Sequence, residues 1–285
     1  MSKNYRAELI FLLGDPVDGN PTGAVEEGAF AHKGLNYRYI NCLVPVKDLG
    51  AAFQGVKALG GRGLNLTMPH KIAIIPMLDE LTQAAQLIGA VNTVYVRDGK
   101  YIGENTDGKG FVQSLLEADI PLKGKVVTML GAGGAARAIA MECALAGARH
   151  IHIINRDHGR GQSLADALNA SGRTTADFMP WKGDMAVPAD TDVLVNGTSI
   201  GLHPHGEDFP PIDYGTVRPG MAACDVVFNP ARTVFLNKCA EKGAQAVTGL
   251  GMLVNQAALN FNLWTGEEPP RELMMRTLSE ELKDT

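Results

Sequence analysis

Hydrophobic and polar positions along the first third of the chain alternate between two periods. Glu8–Leu13 (ELIFLL) and Tyr37–Val44 (YRYINCLV) have the composition of strands, and Gly63–Leu66 reads as a short third. Leu49, Phe53, Val56 and Leu59 recur every three or four residues, which predicts an amphipathic helix over Lys47–Leu59. Val94–Arg97 and Lys100–Gly103 flank Asp98-Gly99, a pair suited to a two-residue hairpin because both central positions take positive φ there. Gly108–Ala118 then reads as a helix with Phe111, Val112, Leu115 and Leu116 on one face.

After a turn at Pro121–Gly124 the alternation becomes regular. Strand-like runs fall at Val126–Leu130, Ile151–Ile154, Thr174–Phe178, Asp192–Asn196, Ala222–Val227 and Gln245–Val247, separated by helical or loop segments. Six β units joined by crossovers predict a doubly wound parallel sheet. Beyond Gly249 the pattern turns helical and ends in Arg271–Leu282. The expected fold class is therefore α/β. Residues 1–107, completed by 250–285, form one α/β domain, and 108–249 form an inserted dinucleotide-binding domain of the Rossmann type.

Composition narrows the function classes. The 26 basic and 31 acidic residues leave a net charge of −5, which argues against a nucleic-acid partner. No apolar run approaches the roughly 18 residues of a membrane span. Leu9–Leu13 is stopped by Gly14-Asp15-Pro16, so neither a signal peptide nor a membrane partner is expected. Cys42, Cys143, Cys224 and Cys239 show no CxxC pairing and read as reduced thiols of a cytoplasmic protein. His203 and His205 read as an exposed loop without a third ligand, and no metal is expected. Monomer and homodimer both fit the pattern.

The strand Val126–Leu130 runs into Gly131-Ala132-Gly133-Gly134-Ala135-Ala136, which fits GxGxxG/A. Gly131 allows the strand-to-helix turn, Gly133 lets backbone amides approach a diphosphate, and Ala136 permits close helix packing. The helix Ala135–Ala146 then offers its N-terminal amides to phosphate. A glycine-rich turn also serves plain chain reversal, and the strand before with the helix after favours the dinucleotide. The next strand ends at Asn155-Arg156-Asp157, with Arg160 nearby. A carboxylate here would bind an adenosine ribose, arginines would attract a 2′-phosphate, and Asp157 could equally cap the helix Gly159–Leu168. The balance tilts toward NAD, with NADP the alternative.

Several segments in order resemble the shikimate/quinate dehydrogenase family over nearly the whole chain. They are Asn65-Leu-Thr67-Met-Pro69-His-Lys71, Ala90-Val-Asn92-Thr93, Asn105-Thr-Asp107-Gly108, the glycine-rich turn, Asn155-Arg156, Asn196-Gly-Thr198-Ser199, Asp225-Val-Val227-Phe228-Asn-Pro230, and Gly249-Leu-Gly251 through Gln256. The resemblance implies hydride transfer between NAD(P) and a cyclic polyhydroxy acid of the shikimate/3-dehydroshikimate type. The first domain and the C-terminal helices would hold that acid, and the second domain would hold the cofactor. It carries the catalytic pair onto Lys71 and Asp107, and polyol contacts onto Asn65, Thr67, Asn92 and Gln256. Cofactor contacts fall on Gly131 through Ala135, Asn155, Arg156, Asp157, Arg160, Thr198, Val227 and Gly249. A lysine amine at the substrate oxygen suits the proton that must move as hydride moves, with Asp107 orienting it and no metal required. Amide side chains suit a polyol because each both donates and accepts.

Taken singly, each of these residues also has a plain reading. Lys71 would be a solvated helix start, Asp107 an N-cap, Asn92 a turn residue, Gln256 a helix surface position and His70 a packing or surface residue.

The sequence departs from the family at the substrate end. The family's His-Ser-x-Ser-Pro segment, whose hydroxyls bind the substrate carboxylate, corresponds to Gly19-Asn20-Pro21-Thr22-Gly23 here. Asn20 and Thr22 remain candidate contacts, while Asp18 adds a charge unfavourable to an anion. Phe228 stands where tyrosine is usual. These changes predict retained chemistry with a drifted substrate. A quinate or other cyclitol-acid dehydrogenase, or a catalytically silent binding protein, are the alternatives.

Overall fold

The computed structural model describes residues 5–283. The chain divides into two compact units, residues 1–106 with 257–285, and residues 107–256.

The first unit is built on a six-stranded sheet. Its strands are β1 (Glu8–Gly14), β2 (Tyr37–Leu43), β3 (Gly63–Leu66), β4 (Glu80–Leu81), β5 (Thr93–Arg97) and β6 (Lys100–Glu104), in the order β2-β1-β3-β5-β6-β4. β1 pairs in parallel with β2 and β3, whereas β5 runs antiparallel to β3 and β6. The β5–β6 hairpin turns on Asp98 (φ 51°) and Gly99 (φ 75°), as that dipeptide predicts. Phe11, Leu13, Leu64 and Leu66 pack with Leu49, Phe53 and Val56, all three from α2 (Leu49–Ala58).

Helix α1 (Thr22–His32) is absent from the hydrophobic pattern. Two of its buried positions are Thr22 and Glu26, so apolar periodicity cannot reveal it. α1 packs against α10 (Arg271–Glu281), and Phe30 stacks on Phe261 with ring centroids 5.5 Å apart. Two short helices, α3 (His70–Ala73) and α4 (Gln83–Ile88), lie between β3 and β5.

The second unit holds β7 (Val126–Leu130), β8 (His150–Asn155), β9 (Thr175–Pro180), the short β10 (Met185–Ala186), β11 (Val193–Asn196), β12 (Ile212–Asp213), β13 (Ala222–Asp225) and β14 (Gln245–Val247). Six of these form an all-parallel sheet in the order β14-β13-β11-β7-β8-β9, the doubly wound arrangement with its topological switch between β7 and β11. β10 and β12 pair separately. The helices are α5 (Asp107–Glu117), α6 (Gly134–Leu145), α7 (His158–Ala170), α8 (Val234–Glu241) and α9 (Gly249–Thr265), and the division between units falls within α9. β13 stops at Asp225, short of the expected Val227, because the Asp225 carboxylate accepts the Val227 N–H (3.0 Å) and turns the chain.

All four cysteines are free. Cys143, Cys224 and Cys239 are buried in the second unit, and Cys42 is partly buried on β2. Burial pushes these thiols up, Cys239 to about 12. No helix among the described residues is long and apolar enough to cross a membrane.

Candidate active site

In the first unit the candidate polar residues form one buried hydrogen-bond chain. The Tyr39 hydroxyl donates to Asn65 Oδ1 (2.7 Å), and Asn65 Nδ2 donates to the Asn92 carbonyl (3.1 Å) and to Thr93 Oγ1 (3.0 Å). Asn92 Oδ1 accepts the Thr106 N–H (2.7 Å), and the Thr106 hydroxyl donates to Asn260 Oδ1 (2.8 Å). Asn65 therefore spends both amide protons inside the protein, and Asn92 pins the backbone one residue before Asp107. Neither is the plain turn residue that Asn92 alone suggests. A satisfied buried network of this kind fixes side-chain positions before a ligand arrives.

Lys71 sits in α3, partly buried, and its carbonyl accepts the Val91 N–H (2.8 Å), which ties it to the strand entry carrying Asn92. His70 beside it is a packing residue: it is fully buried, with Nε2 2.7 Å from the Val44 carbonyl. Thr67 is partly buried between β3 and α3. Asp107 opens α5, and Gln256 is a buried residue of α9, not the surface position its helix alone suggests. These two belong to the second unit.

The segment that departs from the family folds as an Asx turn. Asn20 Oδ1 accepts the Thr22 N–H (3.0 Å), so the amide oxygen is spent locally and the NH₂ group is the part left to meet a ligand. Thr22 is buried at the first turn of α1. One turn further, on the same face, lies a residue that the sequence reading passed over. Glu26 is fully buried, and neither carboxyl oxygen has a hydrogen-bond partner among the described residues. Burial pushes its carboxyl well above the ordinary range. It also lies within electrostatic reach of Tyr39, whose phenol is raised first by burial and then by the Glu26 charge. A lone acidic residue inside a weakly apolar helix gave no periodic signal.

In the second unit the glycine-rich turn leaves β7 at the topological switch. Gly131 has φ 102°, and a Cβ there would lie 2.9 Å from Thr198 Cγ2. Gly133 and Gly134 are exposed with open space above them at the start of α6, while Ala136 is buried and packs close to Gly197. The N-terminal amides of α6 thus face out at the place where open α/β sheets bind ligands. Gly131→Ala is expected to cost at least about 1 kcal/mol in stability and to raise the cofactor KM more than about tenfold, since it strains the backbone that aims those amides. Thermal melts and steady-state kinetics read both effects.

The rest of the candidate cofactor set follows the same edge. The Thr198 hydroxyl donates to Asn196 Oδ1 (2.6 Å), and Asn196 Nδ2 donates to Asp225 Oδ1 (2.9 Å). Burial holds the Asp225 carboxyl at about 6 against the hydrogen bonds that pull it down. Gly249 starts α9 against the backbone of buried Val227, whose carbonyl would lie 2.5 Å from any Cβ. Asp157 is the N-cap of α7: its Oδ1 accepts the Arg160 N–H (3.0 Å), and its Oδ2 lies 3.7 Å from Arg160 Nε. Of the two readings of Asp157, the structure supplies the cap. Asn155 Nδ2 donates to the Asp157 carbonyl (2.7 Å), and Arg156 is exposed. Phe228 is partly buried, and His203 and His205 lie on an exposed loop.

Comparison with known proteins decides what this combination is. Residues 12–94 match the model of the shikimate dehydrogenase substrate binding domain, and residues 249–278 match that of the shikimate 5'-dehydrogenase C-terminal domain. Shikimate dehydrogenase (NADP(+)) of Methanopyrus kandleri is 40% identical, over 99% of each chain. The chain belongs to the shikimate dehydrogenase family. It is an NAD(P)-dependent oxidoreductase that transfers hydride.

Solved structures match over almost the entire chain. Ligand-free 5-ketofructose reductase of Gluconobacter sp. strain CHM43 matches with TM-score 0.93 and 42% identity, over 97% of this chain and 99% of that one. Shikimate 5-dehydrogenase from Listeria monocytogenes, in complex with shikimate and NAD, matches with TM-score 0.91 and 32% identity, over 98% and 99%. Both partners carry the α/β architecture described above.

Proposed function

We propose that the chain reduces a neutral polyhydroxylated ketone with NADPH, and oxidises the corresponding alcohol in reverse. It keeps the proton-transfer groups of shikimate dehydrogenases and changes the end of the substrate it recognises. In this reading Lys71 gives a proton to the carbonyl oxygen as hydride reaches its carbon. Thr67 and Asn92 meet substrate hydroxyls, and the family resemblance assigns Asp107 and Gln256 companion roles in proton transfer and polyol binding. Asn65 acts from behind, by holding Tyr39, Thr93 and the Asn92 backbone in place. The domain of residues 1–107 with 250–285 takes the substrate, and 108–249 takes the cofactor.

The buried Glu26 carboxyl, one turn from Thr22, carries the substrate assignment. Where the family binds a carboxylate with two hydroxyls, this chain presents an amide, one hydroxyl and an acid. A substrate carboxylate there would hold the Glu26 carboxyl still further from ionisation, and would face like charge in a dry site wherever it did ionise. A hydroxyl would instead supply the partner that the Glu26 oxygens lack. A relative 42% identical is a reductase of 5-ketofructose, a neutral polyhydroxy ketone. Shikimate oxidation is the second reading, favoured by the family and by the Thr22 hydroxyl.

Nicotinamide absorbance with 5-ketofructose plus NADPH, and with shikimate plus NADP, separates the two. The ketose is expected to exceed shikimate in kcat/KM by at least about tenfold. The opposite order sinks the neutral-substrate assignment.

The cofactor assignment rests on Asp157. Its carboxylate caps α7 and pairs with Arg160 (3.7 Å), which leaves Arg156 as the cation to meet an adenosine 2′-substituent, and the Methanopyrus kandleri relative is named for NADP(+). Arg156→Ala is expected to raise the NADPH KM about 10- to 100-fold and to leave that for NADH nearly unchanged. Equal effects on both cofactors would return the choice to NAD. The amides of the glycine-rich turn and of the start of α6, Gly131 through Ala135, would take the diphosphate, with Asn155, Thr198, Val227 and Gly249 completing the set.

A further inference from the structure

The outer edge of the parallel sheet carries a cluster that hydride transfer does not use. His150 and His152 alternate onto one face of β8, and Asp177 on β9 stands in register with His152. Asp177 Oδ1 lies 3.3 Å from His150 Nε2 and 2.7 Å from His152 Nδ1, and the three ligand atoms fall within 4.8 Å of one another. The two rings meet edge to face with centroids 4.4 Å apart.

Each ring also has an outer partner. His150 Nδ1 lies 2.7 Å from Thr175 Oγ1, and His152 Nε2 lies 3.1 Å from the Asp190 carboxylate. A proton held toward those outer partners turns the lone pairs of His150 Nε2 and His152 Nδ1 to Asp177 Oδ1, the pattern that metal-bound histidines adopt.

We propose that His150 Nε2, His152 Nδ1 and Asp177 Oδ1 bind a divalent transition-metal ion of the zinc type. Ligands on a tetrahedral ion with bonds near 2 Å stand about 3.3 Å apart; the His150–Asp177 spacing matches that, and the 2.7 Å His152–Asp177 spacing would open by about half an ångström to admit the ion. Each ring has the outer partner that metal-bound histidines use, Thr175 for His150 and Asp190 for His152, and the Asp190–His152 pair repeats the carboxylate–histidine–metal arrangement. Two imidazoles and one carboxylate suit zinc over calcium or magnesium, which prefer all-oxygen sites. The ion would clip β8 to β9 and, through Asp190, to the segment leading into β11. It would lie at the opening residues of β8, whereas Asn155 closes that strand.

Titration calorimetry of zinc chloride into EDTA-treated full-length protein tests the site, with thermal melts alongside. Wild type is expected to take up one equivalent with micromolar or tighter affinity and to melt higher with zinc present. His152→Ala and Asp177→Asn are expected to abolish both effects. Asp190→Asn, which keeps the shape of the cluster, is expected to weaken binding about 10- to 100-fold. His203→Ala should bind as wild type does. Absence of uptake by wild type overturns the proposal, and so does unchanged affinity in His152→Ala.

Discussion

Lys71→Ala is expected to lower turnover about 10²- to 10⁴-fold, the range that a positioned general acid–base contributes, with little change in cofactor affinity. The expectation follows from where the lysine is held. α3 is short, but both of its flanks are fixed: His70 is buried against the Val44 carbonyl, and the Lys71 carbonyl receives the Val91 N–H. Truncating the side chain leaves those anchors intact, so the loss should appear in kcat and not in folding. Lys71→Arg should fail to rescue, since a guanidinium keeps its positive charge yet does not exchange its proton near neutral pH. Single-turnover absorbance and nicotinamide fluorescence separate chemistry from binding. Turnover within about tenfold of wild type in Lys71→Ala would remove the lysine from the mechanism.

Glu26→Gln is expected to raise the KM for 5-ketofructose about 10- to 100-fold, the worth of hydrogen bonds to a charged or strongly polar acceptor. Glu26→Leu, which buries no polar atom, is expected to melt a few degrees higher than wild type while binding the ketose still more weakly. Opposite movements of stability and affinity mark a residue kept for its ligand. A purely structural glutamate would lose both together. The same carboxyl sets a pH trend. Its unfolded value lies near 4.5 and its folded value well above, so as pH rises past 4.5 the unfolded chain releases the proton first and the folded state loses stability. Wild type should therefore lose melting temperature relative to Glu26→Gln across that interval, until the folded carboxyl ionises as well. Parallel curves would show that Glu26 titrates alike in both states.

Much of the fold could be read from the chain because its signals are local. The central strands β7 and β11 are short, fully buried, mostly apolar runs, and the Asp98-Gly99 turn and the Gly131–Ala136 cradle demand backbone geometries that few other residues accept. Helix α1 escaped because two of its inward positions are the polar Thr22 and Glu26, which break the apolar period. The same cause hid Glu26 itself. The motif places Asn65 at the substrate end but does not show that its amide protons go to Asn92 and Thr93, a fact that depends on β3 and β5 meeting. The mirror case is His150 and His152. They share the i, i+2 spacing of His203 and His205, but the Asp177 beside them comes from the neighbouring strand, which no local pattern shows, whereas His203 and His205 lie exposed on a loop.

The distribution of sulfur gives the molecule a built-in reporter. Cys42 belongs to the first unit and is partly accessible, whereas Cys143, Cys224 and Cys239 are sealed in the second, with protons held tightly by their surroundings. A maleimide or disulfide dye therefore modifies the native chain at one position at most, and the remaining three become reactive when the second sheet comes apart. The stoichiometry of alkylation thus distinguishes loosening of one half from loosening of the other, without any engineered label.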